Sequence, residues 1–404
     1  MTAGAPPQDF TPTLPSKHLP EVEVRELPEP PRSIWKIIGP GVVGAGVGLA
    51  SGEFILWPYI SSQVGLVFLW AAFVGVLIQF FLNMEIERYT LATGETALTG
   101  FSRYWKHWGL FFAVLIYFAN LWPGWATSSA TLMTYLFGGG DPVVIAIAIL
   151  LLVGAALTLA PVVYDALERV IFLKVAVIVI FFVVAAITVI SGEAVGELPE
   201  VVTSFGQFPG SIDFAVLLGA LAFAGAGGGQ NLCQSNWIRD KRYGMGRYVP
   251  RLVSPITGEE EAEAGTGYAF APTEQNMTRW RAWWKFANLE QLCTFVAITI
   301  ITITATSLLA YSTVFGQDGL TDDISFLQVE GDRLSDLAGG WMGPLFWGIG
   351  AFSLLAASMG IVDYTSRVAA DILKVNYFRE ARSARASSTS ASSGAWSSSA
   401  ARSC

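Results

Sequence analysis

GPGVVGAGVGLASGEFILWPYISSQVG, residues 39–65, is apolar enough to enter a bilayer yet poorly suited to cross it as one helix. Gly39, Gly41, Gly44, Gly46, Gly48 and Gly52 crowd its first half, and Glu53 falls near mid-depth. Each glycine lowers helix propensity by up to ~1 kcal/mol relative to alanine. A carboxylate at the bilayer centre costs at least ~2.5 kcal/mol unless it meets a partner or water. A plain anchor helix carries neither feature. Irregular backbone is tolerated at that depth only where protein buries it or where it lines a cavity. The stretch therefore reads as a span broken near its middle.

A second stretch repeats the theme. In GALAFAGAGGGQNLCQSNWIRDK, residues 219–241, Gly225, Gly227, Gly228 and Gly229 precede Gln230 and Asn231. Small residues also allow tight helix packing, but packing alone does not explain polar groups at the same depth. Counted along the chain, these are the first and sixth spans. Two glycine-interrupted spans at matching positions of two five-helix halves point to an inverted-repeat transporter with a site at the midplane.

The rest of the chain supports a membrane setting. Of 404 residues, 53% are hydrophobic and 14% charged, against about 25% charged in soluble domains. Apolar segments long enough to cross a membrane lie near residues 36–65, 67–86, 108–136, 142–161, 168–191, 212–237, 287–315 and 341–375. The net charge of −8 argues against nucleic acid as a partner. Three cysteines make no disulfide framework.

Cations alternate between loops. Arg25, Arg32 and Lys36 precede the first span, Arg88, Arg103 and Lys106 follow the second, and Arg169 sits between the fourth and fifth. The loop at 240–285 is the richest in cations, and Lys374 and Arg379 follow the last span. The intervening loops hold Glu193, Glu197 and Glu200, then Asp318, Asp322, Asp323, Glu330, Asp332 and Asp336 with only Arg333 as a cation. This bias places the N-terminus and the end of the eighth span in the cytoplasm, with the chain in the cytoplasmic membrane.

Residues 1–32, rich in proline and acidic side chains, are expected to be a disordered cytoplasmic tail. The loop at 240–285 holds an acidic run at 259–263, then an aromatic, basic stretch at 279–285. That stretch reads as an interfacial anchor before the seventh span, or as a regulatory or partner-binding element.

Three patches resemble the Nramp family of divalent metal ion transporters: Gly39-Pro40-Gly41, then Leu77-Ile78-Gln79, then Leu91-Ala92-Thr93-Gly94-Glu95-Thr96-Ala97-Leu98. The likeness runs over about residues 33–380. It implies an all-α polytopic membrane protein with a LeuT/APC-like inverted-repeat core and broken helices 1 and 6, moving a cation by alternating access, with protons as a coupling ion. The site departs from the family. Where the family has Asp-Pro-Gly-Asn this chain has Ala50-Ser51-Gly52-Glu53, and where it has Met-Pro-His-Asn the chain has Gly228-Gly229-Gln230-Asn231.

Glu53, Gln230, Asn231 and the freed backbone around Ala50, Gly227 and Gly228 are the candidate substrate groups, with Glu53 and Gln230 as candidate metal ligands. Such an all-oxygen set suits Mg²⁺, Mn²⁺ or Ca²⁺ more than soft metals. A small organic solute such as an amino acid is the rival cargo, and a non-transporting membrane sensor is a third reading. Glu53 is also a candidate proton-coupling group, as is Asp363, although Arg367 lies one helical turn beyond Asp363 and can pair with it. Gln79 and Asn83 read as interhelical glue, and Asn120, Trp122, Pro123 and Trp125 as a kinked cavity wall. No nucleophile–base pair, His/Cys cluster or phosphate loop marks an enzyme, and no cofactor is implied.

An inverted repeat of this kind has about ten spans, and eight are found here. Beyond Glu380 the composition shifts abruptly to Ser, Ala and Arg. Residues 381–404 are expected to be either a natural disordered tail or, the reading favoured here, out-of-frame sequence replacing further spans.

Overall fold

The computed structural model describes residues 10–15, 17–31, 38–121, 124–160, 162–250 and 266–377. Arg32, Lys36, Trp122, Pro123, the acidic run at 259–263 and residues 381–404 lie outside them. After a two-residue strand β1 (Glu23–Val24) come the half-helix α1 (Pro40–Gly48), a π turn (Gly52–Leu56) and α2 (Trp57–Val64). Then follow α3 (Leu69–Thr93), α4 (Ala97–Tyr104), α5 (Lys106–Ala119), α6 (Gly124–Phe137), α7 (Pro142–Leu159) and α8 (Val163–Thr188). Short helices α9 (Gly192–Gly196) and α10 (Glu200–Thr203) lead to the half-helices α11 (Phe214–Ala222) and α12 (Gly228–Asp240). The chain continues through β2 (Tyr268–Ala269), α13 (Glu274–Gln291), a second π turn (Leu292–Val296), α14 (Ala297–Val314), α15 (Phe326–Ala338) and α16 (Met342–Asn376).

Among the described residues, six runs are long and apolar enough to cross a membrane, and the pair Pro40–Gly48 with Gly52–Val64, bent by 50°, makes a seventh. The sixth expected span is present as the half-helices α11 and α12; parted at Phe223–Gly227, neither half of 9 and 13 residues is long enough to cross alone. The seventh span starts earlier than its apolar run, because the aromatic, basic stretch at 279–285 continues the helix inward from Glu274.

Local chemistry sets the ends of these helices. Thr96, Asp141, Asp213 and Thr273 each accept a hydrogen bond from a first-turn amide of α4, α7, α11 and α13. Gly94 ends α3 in the left-handed conformation at φ 72°. The first half-helix is capped from a distance: Glu290 Oε1 accepts from the amides of Gly39 and Gly41 at 3.2 and 2.9 Å. A carboxylate there complements the positive end of the helix dipole. A side chain at Gly41 would collide with Glu290 and Thr294. The long helix α16 lies at the centre, packing along α5, α6, α8 and α12.

Expected disorder at 1–32 is not what the described part of that stretch shows. β1 pairs in parallel with β2, Glu23 opposite Tyr268. Leu27 is fully buried, its amide donates to Asn276 Oδ1 and its carbonyl accepts from Arg279. Trp283 Nε1 donates to the carbonyl of Pro28 at 2.8 Å. Farther back, Arg103 donates to the carbonyls of Pro15 and Pro20 while forming a buried ion pair with Glu95 at 2.5 Å. Proline-rich backbone needs external donors, and residues distant in sequence supply them.

Outside the spans, α15 buries Glu330 against α14 and α16. Loss of hydration pushes its carboxyl up to about 8. An acid whose folded pKa is raised holds its proton more tightly in the native state, so its contribution to stability falls as pH rises from about 4.5 to about 8. The melting temperature should therefore decline across that interval, and Glu330→Gln should flatten the decline. Thermal melts of both proteins from pH 5 to 9 measure it; parallel curves would remove Glu330 as a cause.

Candidate functional site

The two breaks touch. A β-carbon on Gly48 would overlap the carbonyl of Gly225, and one on Gly52 would meet the carbonyl of Phe223 at 2.8 Å. Gly225 itself sits at φ 106°, a conformation that side chains other than hydrogen rarely adopt. Glycine at these positions lets one unwound backbone lie against the other. Gln79 on α3 then stitches the second break: its Oε1 accepts from the Ala226 amide at 2.5 Å and its Nε2 donates to the Ala222 carbonyl at 3.4 Å.

Beside this meeting point lies a cavity of about 670 Å³. Backbone of both breaks lines it at Gly48, Ala50, Ser51, Gly225, Gly227 and Gly228, and Gln230 faces it from the first turn of α12. Phe112, Trp125 and Phe223 supply apolar walls. Tyr364 and Asn120 close one side, the tyrosine hydroxyl donating to Asn120 Oδ1 at 2.8 Å. The Gln230 amide is tethered to the other break, since its Nε2 donates to the Gly44 carbonyl at 2.5 Å. A mostly apolar cleft with a few fixed polar groups has the makeup of a small-solute site.

Of the candidate groups, Ala50, Gly227, Gly228 and Gln230 are brought together here. Glu53 is not among them. It is buried behind the cavity wall, where Oε2 accepts from the Ala50 amide at 3.2 Å. Its carboxylate folds back on the start of its own turn, held by the Ala50 amide at the break, and so does not reach into the cavity. The expected pairing of Glu53 with Gln230 across the pocket is corrected accordingly. Asn231 is likewise turned away, donating to Asn83 Oδ1 at 2.7 Å. Asp363 is engaged in an ion pair: Arg367 Nη2 reaches it at 2.8 Å, Trp237 Nε1 donates to it at 3.2 Å, and Arg367 also binds Asp240.

Sequence reading missed Lys174. It lies fully buried in the middle of α8, and its Nζ donates to the carbonyls of Gly46 and Leu49, both at 2.6 Å. Those carbonyls belong to the end of α1, where the break leaves acceptors without helical donors. Ser353 Oγ on α16 donates to the Leu49 carbonyl as well, at 3.0 Å. A lone lysine within an apolar span was the available signal. Among the described residues, no group of three or more His, Cys, Asp or Glu side chains is placed to hold a metal ion.

No family model and no curated protein matches this sequence. Solved structures do match in fold. A crystal structure of an Eremococcus coleocola manganese transporter variant is similar with a TM-score of 0.59 at 13% identity, covering 88% of this chain and 69% of the other. A second variant gives 0.57 at 13% identity over 90% and 69%. The same transporter with an aromatic bis-isothiourea compound gives 0.55 at 14% over 89% and 69%. The chain is thus an all-α polytopic membrane protein with the architecture of an Nramp transporter.

Proposed function

We propose that the chain is a divergent Nramp-like secondary transporter that carries a small cation across the cytoplasmic membrane by alternating access, its N-terminus on the cytoplasmic side. The observation that carries this reading is the contact of two broken spans beside a cavity lined by their released backbone. Carbonyl oxygens and the Gln230 amide oxygen can replace part of an ion's hydration shell. With no carboxylate among the lining residues, a divalent ion would keep much of its own water, which favours hard ions such as Mn²⁺, Mg²⁺ or Ca²⁺ over soft ones. The solved relatives in fold are described as manganese transporters, which places Mn²⁺ first in a panel. Rocking of one bundle against the other would open the cavity to each side in turn, and Glu53, buried beside the break, is the proposed proton carrier.

A second reading rests on the walls. Phe112, Trp125, Phe223 and Tyr364 around about 670 Å³ suit a small organic solute better than a bare ion. Uptake into proteoliposomes separates the two: Mn²⁺, Mg²⁺ and Ca²⁺ in one series, amino acids in the other, each with an internal pH dye. The cation reading expects saturable Mn²⁺ entry with internal acidification. Gln230→Ala should cut that entry at least tenfold by removing a lining amide and its tether to Gly44. Amino-acid entry without metal entry would favour the organic solute, and the absence of both would overturn transport.

A further inference from the structure

At the opposite end of α1 from the cavity, roughly 10 Å along the helix axis, a second group of polar side chains is buried with too few donors. Glu290 on α13 gives one carboxylate oxygen to the amides of Gly39 and Gly41. Its Oε2 has no hydrogen-bond partner among the described residues. Glu87 on α3 stands close enough for the two charges to act on each other, and neither of its oxygens has such a partner. Gln291 lies beside Glu87, yet neither of its amide atoms completes a hydrogen bond among the described residues. Tyr243, which follows α12, brings a likewise unpartnered hydroxyl near Glu290 and Glu87. All four side chains are buried, at 2% exposure or less. The neighbouring Glu168 is already taken by Lys241 at 2.5 Å and by the Tyr164 hydroxyl at 3.0 Å.

We propose that Glu87, Glu290, Gln291 and Tyr243 form a second cation site, separate from the cavity, for a hard divalent ion such as Mn²⁺ or Ca²⁺. Five oxygens meet there without partners: both of Glu87, Oε2 of Glu290, Oε1 of Gln291 and the Tyr243 hydroxyl. A proton shared between the two acids would relieve their repulsion, but it leaves the amide and most of the carboxylate oxygens unsatisfied, which is costly when buried. A divalent ion cancels both charges and engages all five. Carboxylate, amide and hydroxyl oxygens are hard ligands. Mg²⁺ holds on to several waters, so a site this closed suits Mn²⁺ or Ca²⁺ better. The bound ion would join α3, α13 and the segment after α12, and through Glu290 it would steady the start of α1. None of the four side chains lines the cavity, so the site stands whatever solute the cavity takes.

The test uses the full chain in detergent, stripped with a chelator and then melted with and without MnCl₂ or CaCl₂. Wild type and Gln230→Ala, a change confined to the cavity, should both melt about 2 °C or more higher at a hundred times the Kd. Glu87→Gln removes no hydrogen bond and should abolish the rise. A rise lost in Gln230→Ala but kept in Glu87→Gln would put the ion in the cavity and overturn the proposal. The absence of any rise in wild type overturns it as well, and a Glu87→Gln protein that then melts higher than wild type would show the two acids sharing a proton. Should Glu87→Gln not fold, Tyr243→Phe, which removes only an unpartnered hydroxyl, is read by equilibrium dialysis with Mn²⁺ in the Gln230→Ala background. One Mn²⁺ per chain, held at least about threefold more weakly with Tyr243→Phe, supports the site; no bound Mn²⁺, or binding that Tyr243→Phe leaves unchanged, overturns it.

Discussion

Replacing Arg367 by alanine is expected to lower stability by about 3–5 kcal/mol, the cost of leaving buried charges without their partner. Arg367 is 1% exposed and holds both Asp363 and Asp240, which are equally buried. Those two carboxylates sit on α16 and α12, so the guanidinium bolts the second broken span to the central helix. Losing it leaves Asp363 with the Trp237 indole and Asp240 beside Arg239, whose guanidinium lies 3.5 Å away but is shared with Asp371. Lysine at this position keeps the charge but not the fork that serves both acids, and should recover only part of the loss. Chemical or thermal unfolding in a fixed detergent measures the difference. A loss below ~1 kcal/mol for Arg367→Ala would show that the triad is solvated rather than buried.

The second large effect concerns the meeting of the breaks. Gly48→Ala adds one methyl group, and that methyl overlaps the Gly225 carbonyl. Backbone cannot move aside as a flexible side chain can, so the two unwound segments must separate. Uptake should fall by at least 100-fold, and the melting temperature should fall with it. Gly228→Ala is the matched control, because nothing lies within 4 Å of its added carbon. It changes the same kind of residue in the second break, yet should leave melting within about 1 °C of wild type and favour the start of α12. Equal damage from both substitutions would mean that glycine serves flexibility at these positions rather than close approach.

How much of this was legible beforehand depended on which physical quantity was being read. Glycine density at 39–52 and 225–229 marked where helices could not continue, and both breaks are there, at Leu49–Ser51 and Phe223–Gly227. Gln230 and the backbone at Ala50, Gly227 and Gly228 line one cavity beside those breaks. The direction a side chain takes was not legible. Glu53 and Gln230 both lie beside a break, but Glu53 folds back onto the Ala50 amide behind the wall, and nothing in the composition announces that contact. Asn231 points to Asn83 for the simpler reason that it follows Gln230 by about 100° on α12.

Lys174 escaped because its meaning lies in its partners. Within its own helix it is an unfavourable residue among Ile, Phe, Leu and Val. Only the carbonyls of Gly46 and Leu49, more than 120 residues away in sequence, explain its retention. The segment at 17–31 teaches the same lesson. Its composition argues for disorder, yet Asn276, Arg279 and Trp283 supply the donors that order it. Binary patterns report what a segment does alone, and these two features exist only between segments.

The central claim is that the two interrupted spans enclose a water-accessible pocket in the middle of the bilayer. Cysteine at position 228 tests it directly, since the space around Gly228 is open and the residue lines the cavity. In a background with Cys293 and Cys404 replaced by serine and Cys233 left buried, Gly228→Cys in proteoliposomes should react with a membrane-impermeant thiol reagent. Modification should block uptake, and the transported solute should slow the reaction. An unmodified Gly228→Cys, under conditions in which Gln275→Cys at an exposed position ahead of the apolar run reacts, would contradict the account.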